Sequence, residues 1–226
     1  MPELRQFEAV IFDMDGLLLD TERIALSAFN ETCEHFGLGN ETEIFMRCVG
    51  TNSELGEAVL KQGFSGKIDH LDFARIWDAN YLERTTNSPI PLKNGATELL
   101  ARLTALAIPI AVATSTSSDR ARQKLRSAGI LTHFTAVIGG DQVTNSKPHP
   151  DIYANAADVL GVTPAKCIAL EDSENGVRSA TSAGMTVIQI PDLVQPTQAL
   201  RSLGHIILNS LRDVRTYAFQ EENQGN

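Results

Sequence analysis

Apolar and polar positions change rhythm several times along the chain, and each change predicts an element. An apolar run over residues 9–13 ends in Asp13-Met14-Asp15-Gly16, and reads as a buried strand that delivers two carboxylates at its end. In extended chain, residues i and i+2 face the same way, so Asp13 and Asp15 point from that end together while Gly16 lets the chain turn away. Between about residues 18 and 88 the rhythm becomes helical. One helix starts at Asp20 or Thr21 and runs to about Phe36, where Gly37 stops it; others fit residues 53–62 and 69–86, with Gly63 and Gly66 between them.

Beyond the break at Pro89 and Pro91 the pattern alternates. Residues 95–107 read as helix, 108–113 as a buried strand, and 118–128 as a helix ended by Gly129. Strands at 136–138, 168–170 and 187–190 then alternate with helices at 151–160 and 175–183. Alternation of this kind predicts an α/β fold, a Rossmann-like parallel sheet covered on both faces. The expected domains are a core of residues 1–17 plus 89–226 and an inserted α-helical cap of residues 18–88, joined by hinges at 17–20 and 87–92. An accessory subdomain that never moves is the plain alternative. At the carboxyl terminus, residues 221–226 read as frayed.

Composition narrows the function. With 226 residues, 42% of them hydrophobic, the chain can bury one substantial core and a smaller one. A net charge of −9 argues against binding a nucleic acid polymer, and an anionic substrate would need a local cation. The apolar runs fall far short of the ~20 residues that span a bilayer, and no basic-then-apolar leader precedes the first strand. A monomeric cytoplasmic protein with no membrane contact is expected. Cys33, Cys48 and Cys167 form no Cys-x-x-Cys pair, the five histidines form no His-Glu-x-x-His motif, and the Asn-x-Thr triplets at Asn30 and Asn40 mean little without secretion.

In an open parallel sheet the ligand crevice lies at the carboxyl ends of the strands. The first predicted strand ends in Asp13-Met14-Asp15-Gly16 and the second in Thr114-Ser115-Thr116; Lys147 follows the third, and the fourth ends in Glu171-Asp172-Ser173. Singly, each has a dull explanation as a cap or a solvated charge. Together, carboxylates, a lysine and hydroxyl-bearing turns suit a divalent cation beside a phosphate.

On these residues the chain resembles the haloacid dehalogenase superfamily phosphatases, in the β-phosphoglucomutase-like subgroup with a helical cap. The motifs Asp13-Met14-Asp15-Gly16, Thr114, Lys147-Pro148 and Glu171-Asp172 occur in the superfamily's order, followed by Asn175-Gly176. The resemblance implies a Mg²⁺-dependent phosphatase acting on a small phosphomonoester, a sugar or nucleoside phosphate, through an aspartyl-phosphate. It implies that Asp13 is the nucleophile and that Asp15 keeps a proton on its side chain as the general acid and then serves as base. Thr114, Ser115 and Lys147 would bind the phosphoryl group. Asp13, the Asp15 carbonyl and Asp172 would hold Mg²⁺, with Glu171 touching it directly or through water.

Asp15 also argues against a dehalogenase, which lacks an acid there, and Lys61 and Lys67 read as surface charges rather than an imine-forming lysine. A sugar phosphomutase is the main alternative. By resemblance it would carry a His in the opening cap helix and an Arg in the cap loop, where this chain has Ala25 and Ser53. The loop residues Gly50, Thr51 and Asn52 are weak candidates for substrate specificity. A non-catalytic phosphate-binding protein would be expected to have lost Asp13 or Asp15.

Overall fold

The computed structural model describes residues 7–218. Six strands form one wholly parallel sheet: β1 (Ala9–Phe12), β2 (Ile110–Ala113), β3 (Ala136–Ile138), β4 (Cys167–Glu171), β5 (Thr186–Gln189) and β6 (Ile206–Ile207). Their order is β3-β2-β1-β4-β5-β6, with β1 between β2 and β4. β1, β2 and β4 are buried along their whole length, which is why they read as unbroken apolar runs rather than alternating ones.

Strand alternation divides the core in two. Val10, Phe12, Val112 and Leu170 point to one face, where helices α5 (Ala96–Ala105), α6 (Ser118–Ser127) and α10 (Leu211–Ala218) supply Leu99, Leu103, Leu125 and Val214. Ile11, Ala111 and Ala169 point to the other, where α7 (Asp151–Val159) and α8 (Glu174–Ser182) supply Ile152, Tyr153, Ala156 and Val177. The short α9 (Gln198–Arg201) closes that second face with Leu200.

Between β1 and α5 lie four helices, α1 (Thr21–His35), α2 (Thr42–Cys48), α3 (Ser53–Gly63) and α4 (His70–Asn87), which form the inserted cap. They have their own core. Phe29 lies 5.1–6.3 Å, centre to centre, from the rings of Phe45, Phe64, Phe73 and Trp77. The two connections to the sheet run side by side, Leu19 bridging Leu92 while Asp20 N donates to the Pro91 carbonyl and Lys93 N to that of Leu18.

Most predicted elements appear within a residue or two of their expected bounds. The first strand stops at Phe12 and the second begins only at Ile110. Asp20 occupies the cap position of α1, yet its side chain makes no capping hydrogen bond and instead meets Arg23 and Lys93. α2, α9, β6 and α10 were not predicted. The fraying expected of residues 221–226 lies outside the described residues.

Candidate active site

The carboxyl ends of β1, β2 and β4 converge on a crevice of about 570 Å³ roofed by the cap. Asp13 is one residue beyond β1 but still held in the sheet, its N–H donating to the Leu170 carbonyl at 2.9 Å. Its Oδ1 accepts a 2.6 Å hydrogen bond from Lys147 Nζ, which also donates to Glu171 Oε1 at 2.6 Å. Lys147 is 4% exposed and its ammonium stands 5.0 Å from the Tyr153 ring centre. A lysine so buried is tolerable only because carboxylates face it.

Glu171 is fully enclosed. Oε1 accepts from Lys147 and the Tyr153 hydroxyl (2.7 Å), and Oε2 from Asp172 N, Ser173 N and Ser173 Oγ at 3.1–3.2 Å. Asp13, Glu171 and Asp172 each offer an oxygen, all within 4.8 Å of one another. Burial pushes the Asp13 carboxyl up to about 8, with Glu171 and Asp15 adding to the shift and Lys147 opposing it. Burial, then Asp13 and Glu171, raise Asp172 well above the usual carboxylate range.

Buried carboxylates that resist ionisation side by side fit a hard divalent cation, which favours their charged form. Backbone shape agrees, because a Cβ at Gly16, whose φ is +84°, would stand 2.4 Å from Asp172 Oδ2. Only glycine lets this turn pass beside the carboxylate.

Asp15 is held from three sides. Oδ1 accepts from the Thr21 hydroxyl and Lys124 Nζ, both at 2.8 Å, and Oδ2 from the Thr116 hydroxyl at 2.7 Å. Burial works to raise this carboxyl, but the Lys124 charge and the hydrogen bonds from Lys124, Thr116 and Thr21 outweigh it and leave it below its ordinary value. Lys124 and the two threonines thus favour the charged form of Asp15 in this arrangement, against the side-chain proton that the resemblance implies. Sequence reading placed Thr116 at the second strand end without linking it to Asp15, and missed Lys124. The available signal for Lys124 was its place on α6 beside Leu125 and three residues after Ala121, on the apolar face rather than the solvated one.

Thr114 is buried at the end of β2; its hydroxyl accepts from Thr116 N at 3.2 Å, and with Ser115 it lines the crevice beside Asp13 and Lys147. Gly50, Thr51 and Asn52 line the crevice too. Their polar atoms, however, are engaged: Asn175 donates to the Gly50 carbonyl, Thr51 to the Cys48 carbonyl, and Asn52 both caps α3 and donates to Ser146 Oγ at 2.8 Å. Glu22, at the start of α1, also faces the crevice; burial, then Asp15 and Asp192, push its carboxyl up to about 7.

Residues 10–190 match the family model described as haloacid dehalogenase-like hydrolase. A phosphorylated carbohydrates phosphatase of Thermotoga maritima is 32% identical, over 92% of this chain and 99% of its own length. A fructose-1-phosphate phosphatase of Escherichia coli is 29% identical over 82% of this chain and 97% of its own. Among solved structures, a HAD family hydrolase of Deinococcus radiodurans with bound phosphate and sodium superimposes with a TM-score of 0.78 at 30% identity, covering 94% of this chain and 95% of that one.

Proposed function

Because the chain belongs to the haloacid dehalogenase-like hydrolases and is a phosphatase of small phosphomonoesters, we propose that it works in two steps through a phosphorylated Asp13. The observation that carries this reading is the buried pairing of Asp13 with Lys147 at 2.6 Å, directly beside Asp172. Lys147 keeps an oxygen of Asp13 oriented at the strand end and offers positive charge to the phosphoryl oxygens, joined by the hydroxyl of Thr114 and the backbone of Ser115.

In the first step an Asp13 oxygen bonds to phosphorus, the bond from phosphorus to the leaving oxygen breaks, and Asp15 delivers a proton to that oxygen. The negative charge of the bound ester favours the proton that Lys124 disfavours in the empty site. In the second step Asp15 takes a proton from water, whose oxygen attacks the phosphorus and frees Asp13. Thr21 and Thr116 hold the Asp15 carboxyl for both transfers.

Asp13, Asp172 and the Asp15 carbonyl are the donors proposed for Mg²⁺, which when bound would supply charge neutralisation between Asp13 and the phosphoryl oxygens. Glu171, counted with these ligands from the motif, already accepts two hydrogen bonds on Oε1 and three on Oε2. We assign it instead to holding Lys147 and the backbone of residues 172–173 in place. Ala25 and Ser53 both line the crevice, and neither offers the imidazole or guanidinium by which a mutase would retain its intermediate. That supports release of phosphate to water.

The test is Mg²⁺-dependent phosphate release from a panel of sugar, nucleoside and acyl phosphates, with Asp13→Asn as control. Release confined to some members and absent in the control is expected. Isomerisation of a hexose 1-phosphate without phosphate release would overturn hydrolysis in favour of a mutase.

A further inference from the structure

Asp15 faces the leaving group, so whatever fixes its carboxyl sets the geometry of proton transfer. The lysine that does so is contributed by the core, yet one face of it is covered by the cap. Lys124 is 8% exposed; its Nζ is 2.8 Å from Asp15 Oδ1 and 5.0 Å from the centre of the Tyr81 ring, which belongs to α4. An ammonium over an aromatic face is attracted to it, the more so when water is excluded.

The contact is part of a seam. Asp78 and Tyr81 are three apart on α4, and Arg120 and Lys124 four apart on α6, so each pair shares a helix face. The outer rung is a two-bond ion pair, Arg120 Nη2 to the Asp78 carboxylate at 2.9 and 3.0 Å, with both side chains about half exposed. The inner rung is Tyr81 over Lys124, and it ends on Asp15. Tyr81, Lys124 and Arg120 also line both the catalytic crevice and a neighbouring cavity of about 550 Å³ that runs along the same seam. The inner rung thus borders both spaces.

We propose that Lys124 is a positioning residue that couples the cap to the acid-base group: it fixes the Asp15 carboxyl on the leaving-group side only while Tyr81 of α4 packs over it. A lysine serving only to neutralise Asp15 would have no need of Tyr81, and one serving only to join cap to core would have no need of Asp15. Lys124 touches both. With the cap lifted, the ammonium would lose its aromatic cover, take up water and hold Asp15 less firmly, so proton transfer would be competent only over a closed site.

The inference rests on Asp15 acting as the acid, and its test separates the two ideas. For the full-length enzyme with Mg²⁺, kcat and KM are measured for wild type, Lys124→Met, Lys124→Arg, Tyr81→Leu, the Lys124→Met/Tyr81→Leu double variant and Asp15→Ala. The substrates are the best alkyl ester of the panel and p-nitrophenyl phosphate, whose leaving group needs little protonation. Melting temperatures show which variants are folded. A general acid contributes about 100-fold or more, so partial misplacement should cost about tenfold in kcat on the alkyl ester and much less on the nitrophenyl ester.

Lys124→Met and Tyr81→Leu should both show that gap, Lys124→Arg should recover part of it, and the double variant should be no worse than Lys124→Met alone. Should Lys124→Met fail to fold, Tyr81→Leu and Lys124→Arg carry the comparison. Equal losses on both esters, or a Tyr81→Leu enzyme with the wild-type ratio, would overturn the proposal while a gap in Asp15→Ala leaves the acid role standing. No gap in Asp15→Ala would overturn both.

Discussion

Lys147 shows how much of this site depends on single charges. It donates to two carboxyl groups at once, Asp13 and Glu171, each at 2.6 Å in a buried setting. Lys147→Met should leave them unpaired and cost about 3–5 kcal/mol, the range for breaking a buried pair, read by urea unfolding. A loss under about 1 kcal/mol, the value of an exposed pair, would show that water reaches these groups freely.

The same carboxylates predict a pH dependence. Asp13, raised to about 8, and Asp172, raised well above its ordinary value, hold protons in the folded, metal-free protein that the unfolded chain releases. Unfolded, both ionise near about 3.9, so their favourable contribution is complete below that pH and is lost as pH rises, toward about 8 for Asp13. In a chelator the melting temperature should fall between pH 5 and 8, less steeply in Asp13→Asn, and Mg²⁺ should reduce the fall. An identical slope in the variant together with no effect of Mg²⁺ would contradict this.

Asp13, Asp15, Thr114, Lys147 and Asp172 were legible in the sequence because each sits at or just beyond a strand end or, for Lys147, in the loop that follows one, where topology brings residues together. Lys124 and Tyr153 were not. Each lies within a helix and acquires its role from a carboxylate that only folding brings near, Asp15 for Lys124 and Glu171 for Tyr153.

At the scale of elements, the inserted helices have an aromatic core of their own, separate from the two cores that flank the sheet. Truncating Phe29, which touches four other rings, should cost about 3–5 kcal/mol of cap stability. Hydrogen exchange should then quicken in α1–α4 while β1, β2 and β4 keep their protection; uniform loss across both would mean that the two parts unfold together. Long elements with a sustained period were readable from the pattern. Those missed are short: α2 has seven residues, α9 four and β6 two. Segments of that length are not stable by themselves and form because tertiary contacts favour them, as Leu211 and Val214 do for α10.

At the scale of the molecule, a parallel sheet places charged groups at the carboxyl ends of its strands and a helical insertion covers them, so a net charge of −9 coexists with two buried lysines, Lys124 and Lys147, at the crevice. The crevice, about 570 Å³, lies in the size range of small-molecule sites, and no helix among the described residues is long and apolar enough to cross a membrane. Acid-quenched samples taken during turnover of the best panel substrate with Mg²⁺, digested and analysed by mass spectrometry, test the central claim most directly. A phosphate on the peptide bearing Asp13, absent from the Asp13→Asn protein, is predicted. Rapid turnover with no phosphorylated peptide, or with the phosphate on another residue, would contradict a nucleophilic Asp13.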